Sequence, residues 1–150
     1  MENYKRINKK FLGELLIERG VIKKAQLDDA IEYQSKKGVL IGEALIALKY
    51  ASEEDIAQAI TSQYGFPYLP LSNYEIEEDV LSSVSVDLCE KFCLVPIDKI
   101  GASLTLAMAN PLVSEAIEEI EELTKCSVQT FVSTSTDVRN AIERYYRSKK

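Results

Sequence analysis

One stretch of this sequence occurs twice, and the repeat limits the folds open to the chain. Residues 11–34, moved forward by 29 positions, align with residues 40–63. The identical pairs are Gly13/Gly42, Glu14/Glu43, Leu16/Leu45, Ile17/Ile46, Ala30/Ala59, Ile31/Ile60 and Gln34/Gln63. Identities at apolar and glycine positions favour a duplicated unit that buries its apolar face against its own copy. The repeat therefore predicts two units stacked side by side, with Gly13 near Gly42.

Each copy has the pattern of a helical hairpin. Apolar residues at three-to-four spacing predict first helices over 11–19, with the basic residues 5–10 as a lead-in, and over 41–48. The second helices are expected over 24–37 and from Ser52 through 63, where Ser52 and Asp55 form a capping box. Lys23 offers no capping oxygen, so the helix that follows it should start less firmly.

A segment rich in proline and aromatic residues follows the repeat at 64–71. Gly65, Pro67 and Pro70 prevent the preceding helix from continuing. We therefore divide the chain into a tandem-motif helical subdomain of residues 1–65 and an α/β subdomain of residues 66–150.

The second subdomain has short strand and helix patterns in alternation. They predict helices over 76–84 and 85–92, strands over 93–100 and 103–109, a helix from Asn110-Pro111 to 124, a strand over 127–132, and a helix from Thr134 to 147. This order predicts a three-stranded sheet, with one antiparallel hairpin and one right-handed crossover to a parallel strand. The predicted fold class is α+β: a duplicated helical-hairpin subdomain followed by a small ββαβα subdomain.

The composition narrows the classes of function. A net charge of −6 argues against general nucleic-acid binding, although residues 1–38 carry nine basic against six acidic side chains. No apolar run approaches the roughly 20 residues of a membrane span, and the first residues lack the pattern of a signal peptide. Three cysteines without a C-x-x-C pair are typical of reduced thiols. We expect a cytoplasmic protein without direct membrane insertion.

Residues suited to catalysis are scarce. The sequence has no histidine and no G-x-x-x-x-G-K-[ST] loop, and its three separated cysteines do not make a four-ligand zinc site. The glutamates of 115–122 are spaced around a helix, which favours a solvated surface over a cation site. The hydroxyls of 133–136 are best explained as helix caps. We therefore predict no catalytic residue, no metal and no cofactor, and a chain that is not an enzyme.

The tandem motif carries a family resemblance. Residues 12–34 read L-G-x-x-L-I-x-x-G-x-I-x-x-x-x-L-x-x-x-I-x-x-Q, and residues 41–63 repeat this pattern in weaker form. The pattern resembles the N-terminal domain of type II secretion and type IV pilus assembly ATPases, that is, general secretory pathway protein E and MshE-like proteins. Residues 94–97, 104–111 and 142–146 resemble the companion subdomain of that family.

The resemblance implies two functions. In this family the domain docks the motor on the cytoplasmic side of its assembly platform, so the expected partner is a cytoplasmic domain of a platform protein or the ATPase itself. In one subset the tandem motifs bind cyclic di-GMP, which makes a cyclic di-GMP receptor the alternative. The motif positions implied for that ligand are Phe11, Leu12, Gly13, Leu16, Leu27, Ile31, Gln34, Leu40, Ile41, Gly42, Leu45, Ile56, Ile60 and Gln63.

The chain departs from the ligand-binding subset at three positions. That subset begins each motif with arginine, whose planar fork suits phosphate or guanine, whereas this chain has Phe11 and Leu40. Lys49 replaces the turn glycine of the second copy. These departures favour docking over dinucleotide binding. We place the docking contact on the exposed side of the first hairpin, at Lys23 and Lys24.

Overall fold

The structure, a computed structural model, describes residues 11–72 and 74–147, so the predicted lead-in at 5–10 lies outside the described residues. The helical half contains α1 (Leu12–Glu18), α2 (Lys24–Lys37), α3 (Ile41–Ala47) and α4 (Glu53–Tyr64). The second half contains α5 (Glu78–Leu81), α6 (Val86–Phe92), β1 (Leu94–Ile100), β2 (Ser103–Met108), α7 (Ser114–Thr124), β3 (Ser127–Val132) and α8 (Ser135–Ile142), which a π-helical turn continues over Glu143–Arg147. The predicted α+β fold class is confirmed.

The two helical hairpins pack against each other as the repeat predicts. Helix α1 packs on α4 of the other hairpin, and α3 packs on α2. Leu16 and its counterpart Leu45 are fully buried between them, together with Ile60. Each hairpin thus buries much of its apolar face against its copy, in keeping with a motif that occurs twice.

The helix starts differ between the copies. At α4 the Ser52 hydroxyl accepts a hydrogen bond from the Asp55 amide (3.0 Å), and the Asp55 carboxylate accepts one from the Ser52 amide (3.1 Å). At α2 only one half of this pair exists, since the Lys23 amide donates to Gln26 Oε1 at 2.8 Å. A reciprocal cap satisfies two helix-end amides, so the cap of α4 is the more complete one.

The sheet has the strand order β1-β2-β3, with β1 antiparallel and β3 parallel to β2. A register shift between Pro96 and Asp98 marks a bulge in β1. Helix α7 connects the two parallel strands and buries Ile117 and Ile120 in the core of this half.

The segment between the two halves is hydrogen-bonded to the edge of the sheet. The Val132 amide donates to the Pro67 carbonyl (2.8 Å), and the Leu69 amide donates to the Val132 carbonyl (2.9 Å). Tyr68 thereby forms a parallel bridge beside β3. Val132 and Leu112 of the second half also belong to the apolar core of the helical half. The two halves are therefore joined by hydrogen bonds and by shared packing as well as by the chain itself. The division of the chain at residue 65 stays a prediction.

Two local predictions in the second half were wrong. The helix predicted over 76–84 is confined to Glu78–Leu81. The helix expected to start at Asn110-Pro111 begins at Ser114 instead. Asn110 Oδ1 accepts a hydrogen bond from the Leu112 amide at 3.1 Å, and such a local bond holds the backbone in a turn instead of a helix.

Among the helices within residues 11–72 and 74–147, none is long and apolar enough to cross a bilayer.

Candidate binding site: two adjoining grooves

The first groove lies beside the first copy of the motif. Its walls come from the start of α1, the middle of α2, the start of α3 and the residues that lead into α7. The cavity has a volume of about 490 Å³, and its walls are mainly apolar, with Leu27 and Ile31 on one side and Leu112 and Val113 on the other. Phe11, which is 79% exposed, stands at the rim.

The second groove lies beside the second copy, between the helical half and the α/β half. Its volume is about 310 Å³. Leu40, Gly42 and Ile56 line it from the helical side, while Cys93 and Ser133 line it from the sheet side. Both grooves share Leu12, Gln34, Ile41, Asn110, Val113 and Glu115. They therefore form one continuous depression along the repeat.

Ten of the fourteen motif positions line this depression. They are Phe11, Leu12, Gly13, Leu27, Ile31, Gln34, Leu40, Ile41, Gly42 and Ile56. The structure does not bring the other four to either groove. Leu16, Leu45 and Ile60 are fully buried in the core between the hairpins, and Gln63 is exposed on α4 outside both grooves.

The two motif glycines have unequal surroundings. A Cβ on Gly13 would lie 2.6 Å from Leu27 Cδ1, a separation that real Cβ atoms do not tolerate. A Cβ on Gly42 would lie 3.5 Å from Leu12 Cδ2 and 3.8 Å from Ile56 Cδ1, which is ordinary contact. A methyl group on Gly13 would therefore displace the half-buried Leu27 side chain, whereas Gly42 has room for a methyl group.

The charged residues that line the grooves are mostly acidic. The first groove has Glu14 and Glu115, and none of its lining residues is basic. The second groove has Glu53 and Glu115 against one cation, Lys91, and a third carboxylate, Glu43, that is paired with Arg139. The Lys91 ammonium lies 4.9 Å from the centre of the Phe92 ring. A lining of this kind attracts positive groups and repels free anions.

Glu43 joins the two halves through an ion pair. Its Oε2 accepts hydrogen bonds from Arg139 Nε (2.9 Å) and from Arg139 Nη2 (2.8 Å). Arg139 Nη1 also donates to the Glu90 carbonyl at 2.8 Å. Both side chains are partly buried, so this pair fixes α3 against α8 at the edge of the second groove.

Glu53 makes a second connection between the halves. Its carboxylate accepts hydrogen bonds from the Thr136 amide (2.8 Å), the Thr136 hydroxyl (2.6 Å) and the Ser135 hydroxyl (3.3 Å) at the start of α8. Burial raises the pKa of Glu53, but the hydrogen bonds from Thr136 and Ser135 outweigh it and leave the pKa below its usual value. The carboxylate is therefore held ionised as a cap on α8.

Cys93 gives the second groove a neutral thiol. Burial raises its pKa to about 12, Arg139 opposes this change, and Glu43 and Glu53 add to it. A thiol with this pKa stays protonated and is a poor nucleophile. Among the described residues, no group of three or more His, Cys, Asp or Glu side chains is arranged to hold a metal ion. The grooves are thus suited to binding through apolar contacts and a few hydrogen bonds.

Sequence reasoning missed the contribution of the second half. Asn110, Leu112, Val113 and Glu115 line the first groove although none belongs to the repeat. Asn110-Pro111 is a local sequence signal for a change of chain direction. Only the tertiary structure shows that this turn faces α1 and α2.

Comparison with known proteins places the chain in a family. The family model of the MshEN domain matches residues 64–150. The type IV pilus assembly ATPase PilB of Myxococcus xanthus is 36% identical over 138 residues, which is 92% of this chain and 24% of that protein. The PilB of Thermus thermophilus is 28% identical over 142 residues, 93% of this chain and 16% of that protein. The chain thus spans about a quarter or less of these curated relatives.

Solved structures share the fold. The structure of MshE with cdg is similar with a TM-score of 0.67 and 25% identity, covering 92% of this chain and all of that chain. The N-terminal domain of XpsE is similar with a TM-score of 0.72 and 23% identity, covering 90% of this chain and 93% of that one. Because the family match extends over more than half of the residues, the chain belongs to the MshEN domain family, the N-terminal domain of secretion and pilus assembly ATPases.

Proposed function

We propose that the chain is a non-enzymatic interaction domain that docks a cytoplasmic pilus-assembly or secretion ATPase onto its assembly platform. The observation that supports this most directly is the likeness to PilB over 92% of the chain. The expected partner is a cytoplasmic domain of a platform protein or the remainder of the ATPase. Exposed apolar side chains on the first hairpin, Phe11 and Ile31, are compatible with a binding surface.

The docking proposal is tested with the full chain and a purified cytoplasmic domain of the platform protein, by biolayer interferometry. We expect Lys23→Glu/Lys24→Glu to weaken binding, since both lysines are exposed at the start of α2. Lys36→Glu/Lys37→Glu, at the other end of the same helix, is the matched control. Equal affinity of the two variants would exclude the Lys23/Lys24 contact, and no binding by the unaltered chain would exclude docking. An ATP hydrolysis assay of the chain alone should show no turnover.

A receptor for cyclic di-GMP is the second candidate, because we take the cdg in the similar MshE structure to be this dinucleotide. The ten motif residues along the continuous depression favour it. The acidic lining opposes it, because the ligand carries two phosphates and Phe11 and Leu40 offer no positive charge.

Isothermal titration with cyclic di-GMP tests this candidate. The unaltered chain should bind weakly, whereas Phe11→Arg/Leu40→Arg should bind at least about tenfold more tightly, which corresponds to ~1.4 kcal/mol. Phe11→Lys/Leu40→Lys is the control for charge without the guanidinium fork. If the arginine variant gains no affinity, the depression is not a cyclic di-GMP site.

A further inference from the structure

The first groove has an apolar floor of which only the outer part is open to solvent. Leu12 and Leu112 are buried at its base and Leu27 is half-buried, while Ile31 (49% exposed) and Phe11 form the outer part. Leaving such side chains in water is unfavourable, and an apolar partner surface that covers them gains free energy in proportion to the area buried.

Two carboxylates flank this floor. Glu14 stands on α1 and Glu115 on α7, and both side chains are exposed. Within residues 11–72 and 74–147, neither has an ion-pair partner. Glu118 and Glu119 continue the negative charge along the exposed side of α7. The apolar floor thus lies between acidic groups that come from both halves of the molecule.

We propose that the first groove is the docking site for a basic amphipathic helix of the partner protein. The apolar side of that helix covers Leu27, Ile31 and Phe11, and its lysine or arginine side chains lie beside Glu14 and Glu115. Charge complementarity selects this occupant, because the lining contains two carboxylates and no basic residue. The inference rests on the docking function proposed above and names the chemistry of the partner segment.

The two glutamates could also serve only to stabilise their own helices, and the experiment has to distinguish this role from partner binding. Each lies in the first turn of its own helix, where a carboxylate favours the helix by interacting with the free amides. If this were their whole role, reversing their charge would lower the melting temperature of the chain and leave partner affinity unchanged. If they face a basic helix, the affinity falls and its dependence on salt weakens.

The probe is a fluorescent synthetic 18-residue peptide with leucine on one helical face and lysine on the other, titrated with the full chain and followed by anisotropy. We expect Glu14→Lys/Glu115→Lys to weaken binding at least about tenfold. The control Glu54→Lys/Asp79→Lys makes the same change in net charge at exposed first-turn positions of α4 and α5, and neither residue lines either groove. A peptide with glutamate in place of lysine should not bind. Equal losses in both variants, or none, would overturn the proposal.

Two further measurements identify the occupant. Ile31→Ser should weaken binding of the same peptide, whereas Leu123→Ser, at an exposed apolar position of α7, should not. In sedimentation the chain should stay monomeric; self-association abolished by Glu14→Lys/Glu115→Lys would make a second copy the occupant and overturn the proposal. If the platform domain binds the chain but tolerates the groove variants, the groove inference fails while the docking function stands.

Discussion

At the scale of single residues, Gly13 and Gly42 provide a matched pair of tests. Both lie in the first turn of a short helix, but an added Cβ would meet Leu27 Cδ1 at 2.6 Å in one case and nothing closer than 3.5 Å in the other. We expect Gly13→Ala to lower the free energy of unfolding by up to ~1 kcal/mol, because displacing Leu27 costs more than the helix preference of alanine returns. Gly42→Ala should leave it within about 0.5 kcal/mol of the original or raise it. Urea denaturation measures both, and equal effects would contradict the structure.

The backbone of Lys49 is strained, whereas the equivalent position of the first copy is a glycine and is not strained. Its φ of 65° lies in the left-handed region, and the equivalent residue of the first copy is Gly20, with a φ of 76°. We expect Lys49→Gly to raise the free energy of unfolding by ~0.5–1 kcal/mol, because the Cβ penalty disappears while some backbone entropy is lost. Lys49→Ala, which keeps the Cβ, should not stabilise. A lower melting temperature for Lys49→Gly would contradict this account.

At the scale of helices and strands, regular local patterns predicted structure well. The helix over Lys24–Lys37 and the strand over Ser127–Val132 lie where apolar spacing and turn residues put them. Predictions failed at Asn110, whose side chain accepts a bond from the Leu112 amide, and around Glu78–Leu81. After that helix the Ser82 and Ser83 hydroxyls donate to backbone carbonyls, which favours a turn. The sequence around Tyr68 does not predict its pairing with β3. Prolines on both sides of it are as typical of a linker as of an edge segment of a sheet.

The start of α8 provides a test of stability against pH. Since the folded-state pKa of Glu53 lies below its usual value, its contribution to stability is present above that usual value and is lost as the pH falls through the folded-state pKa. We expect Glu53→Gln to lower the free energy of unfolding by ~1–2 kcal/mol at pH 7, and less at pH 3. Glu54→Gln, one residue along, is the control. A difference that stays constant with pH would exclude the ionised cap.

At the scale of the whole molecule, the ion pair between Arg139 and Glu43 contributes to the contact between the two halves. A double-mutant cycle with Arg139→Met and Glu43→Gln should give a coupling energy of ~1–2 kcal/mol, because the pair is partly buried and makes two charge-assisted hydrogen bonds. Chemical denaturation of the four proteins provides the four free energies. Additive effects would show that solvent screens this ion pair completely.

The candidate site was only partly visible in the sequence. The repeat marked Leu12, Gln34 and Ile41, which line both grooves. It also marked Leu16, which points into the core, since helical periodicity alone does not tell a core stripe from a groove wall. Glu115 comes from a distant part of the chain and joins the site only through tertiary packing.

The short parallel bridge beside β3 has a mechanical consequence. Because the Pro67 carbonyl and the Leu69 amide are both bonded to Val132, a force that separates the two halves acts on these hydrogen bonds and not only on the chain that links the halves. The Ser133 hydroxyl reinforces the same point by donating to the Leu69 carbonyl at 2.8 Å. Separating the two halves therefore requires these three hydrogen bonds to break, together with the packing of Val132 and Leu112 against the helical half.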